Sequence, residues 1–398
     1  MHFNLQLEQI QQSPTVEMAD RVSALKSSGR KIIGLQTGDP DMVTPQAILD
    51  VAFRAMRDDF THYAPSRGFP ELRNAVTLKL ERDNGVKYDQ EAEILVTHGG
   101  IHAYYSALQA ILNPGDEVLL PDPTWATHAN MVTVLRGCVV RVPAPAGNGF
   151  IPPLEAWERG LSPKTKAIVI NYPSNPTGVF PSRDYLANLQ ELAAAHHLWV
   201  VSDEVYENLF YTPDHPTCAA AFPETKARTI LVGSLSKTYA MTGWRVGYLA
   251  APVHVIENAL KVGQHSITCV APFVQKAAAF ALSDPCMQIE AAEMRAIYAR
   301  RRELVLEISR EHGDSSIRLA PPQGAFYFFL DFRSLNIPSL EICERLLSEA
   351  GVGLVPGMAF GQQGEGFVRM TIAASDAEVE AGLRAILRWA DHQKAHNG

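Results

Sequence analysis

Six short apolar runs lie between residues 93 and 252, and they predict buried β-strands. Each run is almost continuously apolar, whereas a strand with one solvated face alternates apolar and polar residues. Continuous runs are typical of a mostly parallel sheet that is covered on both faces. The runs are residues 93–100, 117–123, 166–178, 198–204, 229–237 and 244–252.

Longer amphipathic segments separate these runs and predict helices. Leu72, Val76 and Leu80 recur at helical spacing, and Gly85 follows as a stop signal. The segment after Gly100 has a second helical pattern of similar length. Strands that alternate with helices are typical of an α/β, doubly wound domain.

The C-terminal third has a different pattern, which predicts a second, smaller α+β domain. A long helical segment rich in arginine and glutamate covers roughly residues 285–312. It is followed by apolar runs at 324–332, 352–357 and 367–373, with a helical pattern near 339–350. We expect this domain to pack with the N-terminal segment of the chain.

We therefore predict three parts. Residues 1–46 form an N-terminal segment that packs with the small domain and the active site. Residues 47–280 form the large domain, and residues 281–398 form the small one. A length of 398 residues fits two or three domains.

Composition narrows the class of protein. The chain is 46% hydrophobic and 20% charged, as is usual for a globular protein, and its formal net charge of −8 argues against a nucleic-acid-binding surface. Its five cysteines contain no C-x-x-C pair, which argues against a disulfide framework and a zinc site. We expect a reducing, cytoplasmic location. The N-terminus has no signal pattern, and no apolar run is long enough to span a membrane.

Small, polar and charged residues collect where the predicted strands end. They occupy positions 98–100, 122–125, 171–178, 203–204 and 234–237. Ligands of open α/β sheets bind at the carboxyl ends of the strands. The sequence therefore predicts one shared site at this edge of the sheet.

Part of this set suits a phosphate group. Gly99 and Gly100 open a helix directly after a strand, and free N–H groups at a helix N-terminus bind phosphate. By itself such a pair is more often only a tight turn, and it matches neither a Walker A loop nor a Rossmann fingerprint. Hydroxyl groups from Ser234 and Ser236 and the guanidinium of Arg245 could complete a phosphate site.

The remaining members suit an aromatic aldehyde. Asp203 offers a carboxylate to a cationic partner, and Trp125 offers a ring for stacking. Lys237 could form an imine, which avoids the cost of a buried ammonium. A phosphate, an aromatic ring, a ring nitrogen and an aldehyde together describe pyridoxal 5′-phosphate.

The segment S-L-S-K-T-Y-A-M-T-G-W-R-V-G, beginning at Ser234, resembles the active-site lysine segment of class I/II aminotransferases. These are fold type I pyridoxal-phosphate enzymes of the aspartate aminotransferase superfamily. The resemblance implies a large domain with a mostly parallel seven-stranded sheet between helices, plus a smaller α+β domain. It extends in order over segments 37–41, 62–73, 97–100, 122–125, 171–178, 202–207, 234–248 and 368–373.

The resemblance also implies roles for individual residues. Lys237 is expected to form the internal aldimine and to move the proton from Cα to C4′ of the cofactor. Asp203 is expected to pair with the protonated ring nitrogen, and Trp125 to stack on the ring. Asn175 and Tyr206 are expected to donate to the phenolic O3′. The alternatives to these functional roles are structural: Asn175 could be a turn residue, and Tyr206 and Trp125 could be packed core rings.

Further roles concern the support of the cofactor. His128 resembles the histidine that orients the aspartate, although a single histidine is more often structural. Tyr63 resembles a tyrosine that reaches the phosphate from the neighbouring subunit, which implies a homodimer with shared sites; the alternative is an exposed turn residue. The phosphate itself is expected to be held by Gly99, Gly100, Ser234, Ser236 and Arg245.

The substrate carboxylate is assigned to Arg369, with help from the Gly38 backbone and from Asn175. An arginine in a strand could instead face solvent. The implied reaction is a ping-pong transamination between an L-amino acid and a 2-oxo acid, through the Lys237 aldimine. Neither a membrane nor a nucleic acid is an expected partner.

Two other functions are compatible with parts of this pattern. Enzymes that use the same cofactor for β/γ-elimination, γ-substitution, cyclisation or decarboxylation also keep Lys237, Asp203 and Arg369. An aminotransferase-like domain of a transcription regulator would need an N-terminal DNA-binding module, and the enzyme-like pattern starts near residue 13.

The sequence departs from the family at Ile101. Relatives that act on aspartate often have a lysine or threonine there, so Ile101 puts a dicarboxylic substrate in doubt. His102 and Tyr104 are expected to serve helix packing. Glu17 could meet a basic or hydroxylated substrate side chain, but a solvated glutamate is the expected role.

Overall fold

The structure, a computed structural model, describes residues 8, 10, 14–313 and 315–397. The first positions of the predicted N-terminal segment therefore lie outside the described residues. The strands, numbered in chain order, are β1 Ile33–Gly34, β2 Ile94–Thr97, β3 Glu117–Asp122, β4 Cys138–Pro143, β5 Thr165–Asn171, β6 Trp199–Asp203, β7 Thr229–Ser234, β8 Gly247–Ala250, β9 Arg318–Leu319, β10 Tyr327–Asp331, β11 Val352–Gly353, β12 Val355–Pro356 and β13 Phe367–Thr371.

The central sheet has seven strands in the order β2-β8-β7-β6-β5-β3-β4. Strand β8 is antiparallel to both of its neighbours, and the other pairs are parallel. The register places Asn171 of β5 beside Asp203 of β6, and Asp203 beside Val232 of β7. The predicted mostly parallel sheet is thus confirmed, and its polar strand ends meet at one edge.

The sequence prediction missed β4 and extended β5 too far. Strand β4 forms the edge of the sheet, and most of its residues are exposed or half-buried, so it lacks a continuous apolar run. Strand β5 ends at Asn171 rather than at residue 178. The residues beyond Asn171 form the loop that carries Asn175.

The helices begin and end at local signals in the sequence. The helix at Pro70–Asn84 has proline in its first turn and ends at Gly85, whose φ is 69°. The helices are α1 Pro14–Ser27, α2 Gln46–Arg57, α3 Pro70–Asn84, α4 Gly99–Ile111, α5 Ala126–Val134, α6 Leu154–Gly160, α7 Arg183–Ala195, α8 Val253–Ser266, α9 Pro272–Ser283, α10 Pro285–His312, α11 Ser339–Arg345 and α12 Asp376–Asn397.

The C-terminal third builds a four-stranded antiparallel sheet in the order β12-β13-β10-β9. Its apolar core also contains Met18 and Val22 of α1 and Leu35 from the N-terminal segment, packed with residues such as Phe328 and Leu383. Strand β1 pairs with β11 in a separate two-stranded sheet. The N-terminal segment thus packs on the C-terminal third, while the boundaries at residues 46 and 280 stay predictions.

The N-terminal segment also bridges the two halves of the molecule. Arg301 of α10 donates to both carboxylate oxygens of Asp41, at 2.7 Å each. Two residues earlier, Asp39 accepts a hydrogen bond from Thr242, at 2.6 Å, on the side of the large sheet. The loop between these anchors holds Gly38 at the edge where the strand ends meet.

None of the helices in the described ranges combines the length and the apolar character that crossing a membrane requires.

Candidate active site

A cavity of about 350 Å³ opens at the carboxyl edge of the central sheet. It is bounded on one side by the strand ends and on the other by the N-terminal segment and strands β10 and β13. Most of the residues predicted from the sequence line it: Gly38, Gly100, Trp125, Asn175, Asp203, Tyr206, Ser234, Ser236, Lys237, Arg245 and Arg369.

Lys237 follows β7 and reaches across the cavity. Its Nζ donates to the carbonyl oxygen of Gly38, at 2.6 Å. Burial lowers the pKa of Lys237 from its usual 10.5 to about 8. Asp39 and Asp203 oppose this fall in pKa, whereas Arg369 and Arg245 add to it. In a large fraction of molecules, the Lys237 side chain is therefore a neutral amine at mildly alkaline pH.

Asp203 at the end of β6 is 3% exposed and is held by His128. The Nε2 of His128 donates to Asp203 Oδ2 at 2.9 Å, and the backbone N–H of Val205 donates to Oδ1 at 3.2 Å. His128 Nδ1 in turn meets the hydroxyl of Thr124, at 3.2 Å. The carboxylate is thus fixed in place and presented to the cavity.

Trp125 shares a boundary of the cavity with this pair. It immediately precedes α5, the helix that carries His128. Its ring packs edge-on against the His128 ring, with 5.2 Å between the centroids. Orientation of the Trp125 ring is therefore tied to the same histidine that orients Asp203.

Backbone and side chains form an anion-binding cradle at the start of α4. Gly99 has a φ of 78°, and a Cβ there would lie 2.6 Å from Nη2 of Arg245. Ser234 donates to Ser236 at 2.9 Å, and Arg245 Nη1 donates to the carbonyl of Thr242 at 2.7 Å. A helix N-terminus, a guanidinium and two hydroxyls are a strong set of donors for a phosphate.

Arg369 in β13 lies at the opposite boundary and is 1% exposed, so it does not face solvent. Its Nη1 donates to Oδ1 of Asn175 at 2.9 Å, and Nη2 donates to the carbonyl of Gln36 at 2.5 Å. Its Nε has no hydrogen-bond partner, and no carboxylate of the described chain forms an ion pair with it. A buried guanidinium with spare donors suits a carboxylate ligand.

Sequence analysis assigned no role to two contributors. In the sequence, Tyr327 of β10 resembled an ordinary buried strand residue. In the structure it lines the cavity, and its hydroxyl forms a hydrogen bond with the hydroxyl of Tyr206 at 2.8 Å. Asn171 donates to the carbonyl of Asp203 at 3.0 Å and accepts from the N–H of Asn175 at 2.9 Å. Asn171 was visible as the first polar residue after its apolar run, whereas Tyr327 had no such signal.

Close packing explains why residue 38 is glycine. A Cβ on Gly38 would lie 2.0 Å from the hydroxyl oxygen of Tyr327. The same carbonyl that accepts from Lys237 is therefore held against the aromatic floor formed by Tyr327 and Tyr206. Only a residue without a side chain allows this approach.

The other predicted positions fall outside the cavity or at its mouth. His128 and Gly99 lie directly behind the lining residues, whereas Tyr63 is 88% exposed and does not line the cavity of its own chain. Ile101 lines the mouth and is 43% exposed. Glu17 is exposed on α1 and is not a lining residue, in line with a solvated glutamate.

His102 and Tyr104, which follow Ile101 on α4, serve packing. The hydroxyl of the buried Tyr104 donates to the carbonyl of His128 at 3.1 Å. His102 accepts from the N–H of His98 at 3.3 Å and contacts the hydroxyl of Ser266 at 3.1 Å. Burial lowers the pKa of His102 to about 4, so the ring stays neutral at physiological pH.

Comparison with known proteins yields a consistent set of relatives. The family model "Aminotransferase class I and II" matches residues 30–386. An aspartate aminotransferase of Pyrococcus abyssi is 39% identical over 354 residues, which are 89% of this chain and 90% of the relative. Aromatic-amino-acid aminotransferase 2 of Thermococcus litoralis is 36% identical, and the match covers 96% and 97% of the two chains.

Solved structures agree with the sequence relatives. The aspartate aminotransferase of Thermus thermophilus with maleate has a TM-score of 0.93 and 35% identity, covering 98% of this chain and 99% of the other. The aromatic aminotransferase of Pyrococcus horikoshii has a TM-score of 0.89 and 37% identity, covering 94% and 99%. With a lysine, an anion cradle and a buried aspartate at one sheet edge, the chain belongs to the class I and II aminotransferases, which catalyse transamination with pyridoxal 5′-phosphate.

Proposed function

We propose that this aminotransferase takes its amino group from an L-amino acid with an apolar or aromatic side chain and passes it to a 2-oxo acid. In this proposal Lys237 moves the Cα proton and Arg369 holds the α-carboxylate. The observation that carries it is the convergence of Lys237 and Arg369 on one cavity, beside the buried Asp203–His128 pair.

The residues around the cavity fit pyridoxal 5′-phosphate. The cradle at Gly99 and Arg245 suits a dianion, and a Cβ on Gly99 would encroach on it. Asp203 offers a buried, oriented carboxylate to a ring cation, and Trp125 offers a ring face. When bound, the cofactor supplies an aldehyde for the substrate amine and a ring that accommodates negative charge developing at Cα.

Proton transfer falls to Lys237. A base works best when its pKa lies near the operating pH, and burial brings the pKa of Lys237 to about 8. Arg369 can bind a carboxylate through two N–H groups, which fixes how the substrate Cα–H bond points. Orientation of that bond decides which bond to Cα is cleaved. In this proposal Lys237 transfers the proton, and Arg369 aligns the substrate.

Charge and shape of the cavity favour a neutral donor side chain. Among its described lining residues the cations are Lys237, Arg245 and Arg369, and each already has a role in this proposal. The mouth is lined instead by Ile101 and Val16, which are 43% and 57% exposed. A second carboxylate on the substrate would meet apolar groups there and lose hydration without gaining a partner.

We also propose a homodimer in which Tyr63 of each subunit completes the phosphate cradle of the other. Support comes from the exposure of large apolar side chains in the same part of the chain. Val43 is 85% exposed, Phe53 is 57% exposed and Tyr63 is 88% exposed. Exposed apolar surface of this kind is typical of protein interfaces.

The cysteines support the proposed cytoplasmic location. All five are free thiols, and Cys138 and Cys286 are exposed at the surface. Exposed thiols persist in reducing compartments.

Absorbance provides the direct test of the reaction. The cofactor-loaded protein is mixed with single L-amino acids in the absence of any oxo acid. We expect phenylalanine or another apolar amino acid to bleach the visible absorbance of the bound cofactor stoichiometrically, and pyruvate or 2-oxoglutarate to restore it. Catalytic consumption of an amino acid without bleaching would instead indicate elimination or decarboxylation chemistry.

The donor class is tested by changing Ile101. Ile101→Lys should raise kcat/KM for aspartate relative to phenylalanine by about tenfold, because the new ammonium can pair with the distal carboxylate. The control is Val134→Lys, an exposed position on α5 outside the cavity. An unchanged ratio in Ile101→Lys would contradict the placement of the donor side chain beside Ile101.

A further inference from the structure

The turn after β6 has two faces. Asp203 and Tyr206 face the cavity, whereas Glu204 and Glu207 are not among its lining residues. Glu204 is 6% exposed, so it is a buried carboxyl group directly behind the predicted partner of the cofactor. Burial of such a group costs free energy unless hydrogen bonds compensate for the lost hydration.

Hydrogen bonds tie Glu204 to both sides of Asp203. The hydroxyl of Ser202 donates to Oε1 of Glu204 at 2.8 Å, and the N–H of Ala219 donates to the same oxygen at 2.9 Å. The Glu204 N–H donates to the carbonyl of Val232 in β7, at 3.0 Å. Ser202 and Glu204 thus clamp the backbone on either side of Asp203.

The charge of Glu204 is sensitive to pH in the physiological range. Burial raises its pKa to about 7, and the nearby carboxylate of Glu207 adds to the rise. Hydrogen bonds from Ala219, Ser202 and the thiol of Cys218 act in the opposite direction. Both ionisation states are therefore populated near neutrality.

Three side chains close to Glu204 keep their protons at neutral pH. Tyr88 and Tyr248 pack close to it, and burial raises the pKa of both phenols well above 10. Burial likewise raises the pKa of the Cys218 thiol well above its usual value of 9. Glu207 forms a partly buried ion pair with Lys79 of α3. Of Tyr88, Tyr248, Cys218 and Glu204, only Glu204 has a pKa near neutrality.

We propose that Glu204 is a positioning residue for Asp203: its hydrogen bonds fix the end of β6 from behind, and it places a second buried carboxyl group on the residue adjacent to Asp203. An ionised Glu204 strengthens the negative field at Asp203 and so favours the protonated form of whatever cation Asp203 partners. Protonation of Glu204 at lower pH weakens that field. This inference rests on the proposed role of Asp203.

The first readout needs no cofactor. In cofactor-free protein, the imidazole proton of His128 that binds Asp203 is observed by NMR across pH 5.5 to 8.5, a window of about 1.5 units around the Glu204 midpoint of about 7. We expect the resonance to shift in the wild type with a component whose midpoint is near 7, and this component should be absent in Glu204→Gln. The component near pH 8 that arises from Lys237, which is coupled to Asp203, should remain in both proteins. The control Glu365→Gln changes a carboxyl that accepts from the N–H and hydroxyl of Ser339 at the start of α11, and it should titrate like the wild type.

The second readout uses the loaded enzyme. The pH profiles of kcat/KM and of the cofactor's visible absorbance should lose the component with a midpoint near 7 in Glu204→Gln, while Glu365→Gln keeps it. If Glu204→Gln keeps this component in both the His128 titration and these pH profiles, and only the melting temperature falls, Glu204 is merely structural and the proposal is wrong.

A second variant tests the proposal if Glu204→Gln does not fold. Cys218→Ala removes a thiol that lowers the pKa of Glu204, so the midpoint of the His128 titration should move upward. An unmoved midpoint would overturn the proposal. Failure of the proposed function is recognised separately, because it appears as absent bleaching in the wild-type amino-acid assay while the cofactor-free titration can still be measured.

Discussion

Lys237 illustrates at the residue scale how burial changes an ordinary side chain. An exposed lysine is almost entirely protonated at pH 7 and is a poor nucleophile. Withdrawal from water favours the neutral amine, and Asp39 and Asp203 limit the effect. The result is a lysine that can act as a nucleophile and as a base near physiological pH.

This environment predicts the reactivity of the cofactor-free protein. The rate of trace acylation of Lys237, followed by peptide mass spectrometry, should rise with pH with a midpoint at about 8 instead of 10.5. Asp39→Asn should lower the midpoint further, because it removes a negative charge that raises the pKa of Lys237. Asp184→Asn, on the exposed side of α7, is the control and should leave it unchanged. A wild-type midpoint near 10.5 would contradict the desolvation of Lys237.

Arg369 gives a second prediction at this scale. Arg369→Lys should lower kcat/KM by about 10- to 100-fold, mainly through KM, because lysine cannot form the two parallel hydrogen bonds of a guanidinium. Steady-state kinetics with one apolar donor measures the effect. Arg333→Lys serves as the control, since Arg333 is an exposed arginine that pairs with Asp331. A fall in kcat with unchanged KM would argue against carboxylate binding by Arg369.

At the scale of elements, the junction of β2 and α4 performs two tasks. The strand delivers Gly99 to the sheet edge, and the helix starts there with its free N–H groups directed at the cradle. The left-handed conformation at Gly99 makes this abrupt change of direction possible. The close approach of Arg245 then requires that the position carry no Cβ.

Gly99→Ala should therefore weaken cofactor binding more than a glycine substitution elsewhere does. We expect the dissociation constant for pyridoxal 5′-phosphate to rise about tenfold or more, because Arg245 must move away from the cradle. Gly115→Ala is the matched control, since Gly115 has a φ of 90° and open space around its Cα. It should lose about 1–2 kcal/mol of stability through backbone strain and keep its cofactor affinity. Equal affinities in the two variants would contradict the cradle.

At the scale of the whole molecule, the active site lies between parts of the chain that are distant in sequence. Arg369 and Asn175 are 194 residues apart and share a hydrogen bond. The loop at Gly38 is held by Arg301 through Asp41 and by Thr242 through Asp39. The relative position of the two halves therefore sets the distance between the amine of Lys237 and the guanidinium of Arg369, the proposed site for the substrate carboxylate.

The proposed dimer makes a prediction at this scale. Lys237→Ala and Tyr63→Ala homodimers should each have low activity, because each lacks one component in both sites. Subunits mixed under conditions of exchange should regain activity, because a hybrid dimer contains one site with both native residues. Mixing Lys237→Ala with Arg369→Lys is the control and should regain none, since both residues come from the same subunit. No gain with Tyr63→Ala would contradict a shared site.

Sequence patterns predicted most of the central sheet and most of the cavity. Buried strands are visible as continuous apolar runs. The polar residues at or just after their carboxyl ends include Asp203, Asn175 and Lys237, and the sheet brings these residues together at one edge. The edge strand β4 was missed because its residues are largely exposed and it contains Arg141. A partly solvated strand carries no continuous apolar signal.

By itself, the sequence determined the local structure and the chemical inventory: the strands, the helix start at Gly99, the lysine and the arginines. Tertiary structure decided which of these meet. It placed Tyr327 against Gly38, Asp39 near Lys237, and Glu204 behind Asp203. The local pattern of apolar and polar residues determines which face of each segment is buried. Contacts between distant segments depend on how those segments pack together, and no single stretch of sequence encodes this packing.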